Sequence, residues 1–360
     1  MEAWYQKGLL ESDHGKWLQA AEYFRRALAV APDCASAHLE LGEMLLRLGD
    51  FEQAAHELTT VSRLEPGNPG AYYGLGLVRL QQGDLVKAEF EFRRALTIQP
   101  QRVAVQKSLG ETLLRQRKWS DAVVFLERVL AVDPKSLEAT NALATSLGHL
   151  GEKARAAEEF RKARELSRQE LALHRAQGAN NRGLELWYAG NLQEAAVVFR
   201  SAIGADPDYS EAHNNLGGVL WQMKNPAGAL AEFQAAVRCR PNFAEAYNNW
   251  GNVLVHDRDI GHAIKQFRAA LGYRPGFALA RLNLGRALAI KREVVEAEAE
   301  LRRAVTLAPE MAAAHIELGV LLASKAGSLS AEARAELNEG LRLDANLSAL
   351  IPPQYARELH

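Results

Sequence analysis

Residues 35–68 read ASAHLELGEMLLRLGDFEQAAHELTTVSRLEPGN, from Ala35 to Asn68. Leu41, Leu45 and Leu46 recur at helical spacing, Gly49 and Asp50 interrupt them, and Ala54, Ala55, Leu58 and Val61 resume the same period. The stretch predicts helix, tight turn, helix. Pro66 cannot continue the second helix and sets a turn into the next segment.

That next segment repeats the pattern, as does nearly all of the chain. Glycine recurs at Gly8, Gly42, Gly76 and Gly110, then at Gly183, Gly217, Gly251, Gly285 and Gly319, each run stepping by 34 residues, with Ala144 in the slot between them. Prolines keep the step at Pro32, Pro66, Pro100 and Pro134, then at Pro207, Pro241, Pro275 and Pro309. Alanine stands twelve residues after each small residue, as at Ala20 and Ala54, and four further on comes a bulky one: Phe24, Leu58, Phe92, Leu126, Phe160, Phe199, Phe233, Phe267 and Leu301. A glycine inside a helix costs about 1 kcal/mol relative to alanine, so its recurrence implies that a side chain there would hold two helices apart. Gly8 and Ala20 read as facing positions of close approach, and Phe24 as filling the space between the pair and its neighbour. One unit cannot bury its own apolar face, but stacked units can.

The columns Trp4, Gly8, Ala20, Phe24, Ala27 and Pro32 resemble the tetratricopeptide repeat, and ten units resemble it over residues 1–345. The resemblance implies an all-α, right-handed α-solenoid superhelix, with the first helix of each pair lining a concave groove and the second facing outward. Two departures stand out. The proline slot after Ala163 holds Arg168, and the step from Ala144 to Gly183 is 39 residues. The second helix of unit five is therefore expected to run on by about one turn, as a hinge or as a rigid longer helix, before unit six begins near Ala176. This gives units one to five over residues 1–170, units six to ten over 171–345, and 346–360 as a tail or short capping helix. Unit ten carries two extra residues around Gly327 and Ser328. Unit one starts at Met1 with no polar cap, which favours a fragment of a longer chain.

Composition narrows the function. Lys plus Arg number 43 against 44 for Asp plus Glu, and the signs are interleaved, so no basic face offers phosphate neutralisation and nucleic acid is disfavoured. No apolar run is long enough to span a bilayer, and Met1-Glu2-Ala3-Trp4-Tyr5 has neither the basic region nor the apolar core of a signal peptide, which leaves a cytoplasmic location by default. Cys34 and Cys239 are too few for a disulfide framework or a structural zinc site. No phosphate-binding GxxxxGK[ST] loop, HExxH or strand-borne GxGxxG occurs, so neither catalysis nor a cofactor is expected. His38-Leu39-Glu40 and His315-Ile316-Glu317 superficially resemble the His-x-Glu of zinc deaminases, but no PCxxC lies downstream. Both fall at equivalent repeat positions, and packing explains them better.

With the glycine column numbered 8, positions 4, 7, 8 and 11 are expected to face the stack, and positions 2, 5, 6, 9, 12 and 13 the groove. There a second column appears. Asn181, Asn215, Asn249 and Asn283 hold position 6 of four successive units, Asn180, Asn214 and Asn248 precede three of them, and Asn252 lies one turn on. Asparagine is a mediocre helix former, while its amide matches the alternating N–H and C=O groups of an extended peptide. The column is similar to the asparagine ladder in the groove of O-linked N-acetylglucosamine transferase, where such residues hold the peptide backbone. That resemblance covers the repeats only, with no glycosyltransferase domain after them. Either these amides hold a peptide or they bond across neighbouring helices and fix the stack. The two roles can coexist.

Trp187 and Trp221 share position 12 and Tyr188 adds position 13, so the tryptophans are read either as exposed anchors or as half-buried groove lining, with His256 and Arg286 supplying charge contacts nearby. The carboxylate clamp of chaperone-binding members of the family would need a Lys and Asn pattern that no three consecutive units here supply. Three roles are expected in order: a non-catalytic scaffold binding an extended segment of another protein through units six to nine, the substrate-recruiting arm of a larger enzyme, and self-association through uncapped ends.

Overall fold

The computed structural model describes residues 1–359, and among the described residues the chain is helical without any β-strand. It divides into two compact units, Met1–Arg168 and a second from Gln169 onward. In the first, helices pair as Glu2–Asp13 with Trp17–Val30, Ala35–Leu48 with Phe51–Leu64, Pro69–Gln81 with Leu85–Ile98, and Val103–Arg115 with Trp119–Val132, before Leu137–His149 and the start of Lys153–Tyr188. In the second, the end of that helix pairs with Leu192–Ala205. Ser210–Gln222 then pairs with Pro226–Cys239, Ala244–His256 with Ile260–Tyr273, Ala278–Ile290 with Val294–Leu307, and Ala312–Ala326 with Ala331–Leu343. Within each unit every pair packs on the next, and the first helices of successive repeats also touch. This is an all-α solenoid built by stacking. Among the described residues no helix is long and apolar enough to cross a membrane.

The turn inside each pair has a local cause. Gly49 takes φ 80°, a left-handed conformation that ends the helix, and Asp50 accepts from Gln53 N at 3.1 Å to start the next. Four other repeats lack that glycine: Arg117, Lys224, Arg258 and Arg292 adopt φ between 61° and 68°. All four are basic, and each sits against the carbonyl end of a first helix, where a cation is favoured.

The glycine column faces position 24 first, and in two repeats the backbone of position 20 as well, with Ala297 O 3.3 Å from a Cβ on Gly285 and Ala333 O 3.0 Å from one on Gly319. A Cβ on Gly8 would lie 2.5 Å from the Phe24 ring, and one on Gly217 would lie 2.6 Å from Phe233. At Gly8 the atoms nearest to such a Cβ all belong to Phe24, so there glycine makes room chiefly for a large side chain, with Ala20 fully buried. Unit five departs from this. Ala144 carries the methyl that the others lack, and Phe160, expected in the core, is 41% exposed.

The junction also differs from expectation. Lys153–Tyr188 is one continuous helix of 36 residues, with no turn before Ala176. Arg168 replaces the proline, no glycine occurs between Lys153 and Gln177, and good helix formers fill the gap, so nothing there stops propagation. At the other end of the chain, a 3₁₀ turn, Ala345–Leu350, and a helix, Pro353–Leu359, fold back on repeat ten. Ile351 and Tyr355 join the core that contains Leu321, Leu322 and Leu337, so this end face is covered by its own chain rather than left uncapped.

Candidate functional site

The asparagine column is a wired chain of amides. Asn283 Nδ2 donates to Asn248 Oδ1 at 2.9 Å, Asn249 Nδ2 to Asn214 Oδ1 at 3.0 Å, and Asn215 Nδ2 to Asn180 Oδ1 at 2.9 Å. Longer bonds of 3.5 Å within each helix, Asn248 to Asn249 and Asn214 to Asn215, join these links. A single path of donors and acceptors therefore runs from Asn283 through Asn248, Asn249, Asn214 and Asn215 to Asn180. Asn215, Asn249 and Asn283 each reach the position-5 amide of the preceding repeat, because the first helices lie side by side.

Among the position-5 amides, Asn214 is half-buried, while Asn180 and Asn248 lie inside the stack rather than on the open face. Asn248 is 1% exposed and Asn180 is 4% exposed, and both lie between helices where an unpaired amide would cost free energy. Position 6 keeps more freedom. Asn181 is exposed and makes no side-chain hydrogen bond among the described residues, Asn215, Asn249 and Asn252 are half-buried, and Asn283 is buried. An amide carries two N–H donors and two acceptor lone pairs. Asn215 and Asn249 each spend one donor and one lone pair on the chain and retain one of each.

The aromatic residues are lining more than free anchors. Trp187 donates its indole N–H to Gln222 Oε1 at 2.9 Å and meets Phe199 edge-on. Its ring lies on Gly218, where a Cβ would come within 2.4 Å. Trp221 is half-buried and meets the His256 ring edge-on at 5.1 Å. Tyr188 is the outstanding exposed aromatic of the set, at 85%. Arg286 is engaged with Glu317 of the next repeat at 2.8 Å, and His256 with Asp257 at 3.0 Å.

In the first compact unit, Glu40 stands at position 6 and Glu43 and Glu111 at position 9. Burial pushes the Glu40 carboxyl above its ordinary range, and the neighbouring charges of Glu43 and Asp13 add to the rise. Glu111 is also raised by burial, although Lys107 and Arg115 oppose it.

Family models described as Tetratricopeptide repeat match residues 5–58, 45–103, 180–242 and 248–312, and a second model of that description matches 79–147, together well over half of the chain. No curated protein is a significant sequence match. Among solved structures the chain is similar to MamA protein, at 19% identity over 47% of this chain and 93% of that one, with a TM-score of 0.43. It is also similar to YrrB, described as a TPR protein with an unusual peptide-binding site, at 20% identity over 63% and 96% of the two chains, with a TM-score of 0.34.

Proposed function

The chain belongs to the tetratricopeptide repeat family, and from that premise we propose a non-catalytic interaction scaffold that holds an extended segment of another protein along the first helices of repeats six to nine. The observation that carries the reading is the spare capacity of the position-6 amides. Asn181 is exposed and unbonded, while Asn215 and Asn249 keep a donor and an acceptor beyond what the stack consumes. An extended strand offers N–H and C=O groups in alternation, with a rise of about 3.3 Å per residue, and helices roughly 8 to 10 Å apart would present one amide to about every third residue. Such contacts hold main chain and read little side-chain identity. Tyr188 and the accessible parts of Trp187 and Trp221 supply apolar contact beside them.

The test separates binding from folding. Asn181→Ala combined with Asn252→Ala removes amides that are outside the hydrogen-bonded chain, so the stack should melt as the wild type does. Peptides selected from a display library on the wild-type protein should lose affinity for this variant at least several-fold. Equal affinity with an equal melting temperature would remove the proposal.

A further inference from the structure

Position 4 of the repeat carries the same chemical arrangement in three places. His213 Nδ1 lies 2.7 Å from Glu232 Oε2 and its Nε2 lies 3.0 Å from the Pro207 carbonyl oxygen. His38 makes the same pair of contacts, 2.5 Å to Glu57 and 2.7 Å to Pro32, as does His315, 2.6 Å to Glu336 and 2.9 Å to Pro309. A carboxylate and a peptide carbonyl are both acceptors. Neutral imidazole has one N–H and can serve only one of them, whereas the doubly protonated ring donates to both. The chain contains its own controls at this position. Arg281, a fixed cation, donates to the Pro275 carbonyl and to Glu300, while Gln106, a neutral donor, reaches only the Pro100 carbonyl.

We propose that His213 is a proton-operated staple of the second unit: charged, it ties the inter-repeat loop to the first helix and the first helix to the second, and on losing its proton it releases one of the two links. Glu232 and Arg238 face it from Pro226–Cys239, the Pro207 carbonyl from the loop, and Asp208 and Cys239 share its cleft. The hydrogen bond from the ring to Glu232 raises the ring's pKa, and the prolyl carbonyl and the charge on Glu232 reinforce this against burial and Arg238. The folded state therefore holds this proton more tightly than the unfolded chain. The stabilisation is complete below the ordinary histidine value and is lost as pH rises through the raised one. The consequence is a repeat stack that loosens locally as pH rises through the raised value of His213.

Two measurements test this. In the wild-type protein, long-range nitrogen–proton spectra should show both ring nitrogens of His213 protonated below a titration midpoint that lies above the ordinary histidine value. Second, melting midpoints are compared from about pH 5.5 to about pH 8.5 for wild type, His213→Arg and His213→Gln. His213→Arg, which copies Arg281, should lose the part of the alkaline decline that belongs to this residue, leaving it roughly 2 to 4 °C above wild type at the high end. His213→Gln, which copies Gln106, should sit below wild type in acid and converge with it in alkali. A ring that titrates at or below the ordinary value, or identical pH slopes for wild type and His213→Arg, would overturn the proposal. The spectra on unmodified protein decide the matter even where a variant fails to fold.

Discussion

A methyl group on Gly251 would sit 2.5 Å from Cε1 of Phe267, so the glycine is fixed by the phenylalanine sixteen residues later. Gly251→Ala is predicted to destabilise the protein by about 1 to 3 kcal/mol through overpacking, or to expel the ring. Unit five already displays the second outcome, with Ala144 in the glycine slot and Phe160 exposed. Denaturant unfolding combined with the near-ultraviolet signature of the aromatic core distinguishes the two results, and an unchanged midpoint would refute the steric reading.

The basic residues in left-handed backbone offer a stabilising change. Arg258 has φ 63°, a conformation costing roughly 1 to 2 kcal/mol for residues other than glycine. Glycine relieves that cost while giving up part of it to the greater freedom of the unfolded chain. Arg258→Gly should therefore raise stability by up to about 1 kcal/mol. A thermal midpoint that falls would mean that the guanidinium's interaction with the helix end outweighs the strain.

Within the amide chain, burial sets the ranking. Asn248→Ala leaves Asn283 without its acceptor and Asn249 without its donor, and should cost about 1 to 3 kcal/mol. Asn181→Ala should cost almost nothing. Urea midpoints for the two variants provide the comparison, and equal losses would show that the hydrogen-bonded chain contributes nothing of its own.

Glu40 supplies a prediction in the opposite sense of pH from a paired carboxylate. Its carboxyl is raised in the folded state, so charging it costs more there than in the unfolded chain, and stability falls as pH rises through the raised value. Above that raised value the whole penalty is present. Glu40→Gln should then melt above wild type at neutral pH, with the advantage vanishing in acid below the ordinary glutamate value. A variant less stable at neutral pH would contradict the assignment.

The repeat grammar is legible because its punctuation is local. Pro32 and Gly49 act on the backbone within a few residues, and the period of 34 exposes the proline in eight units and the glycine where it recurs. Where sequence and structure part, the deciding partner is distant or silent. Arg117 and Lys224 bear no residue signature of left-handed backbone. The exposure of Phe160 goes with Ala144 in the glycine slot sixteen residues earlier, and the turn expected near Ala176 came from the repeat pattern, although Arg168 and its neighbours favour uninterrupted helix. The asparagine column is visible, but the links from Asn215 to Asn180 and from Asn249 to Asn214 join different helices, and one sequence does not reveal whether an amide is spent inside the stack or left for a ligand.

The fold-back of Ile351 and Tyr355 onto repeat ten bears on how such an array can lengthen. Those side chains occupy the surface on which an eleventh first helix would dock, so a copied repeat joined directly behind Leu343 would have to evict them. A copy inserted between existing repeats meets the same neighbours as the original on both sides. Growth by duplication is therefore channelled to the interior of the array, with the closing segment carried along unchanged.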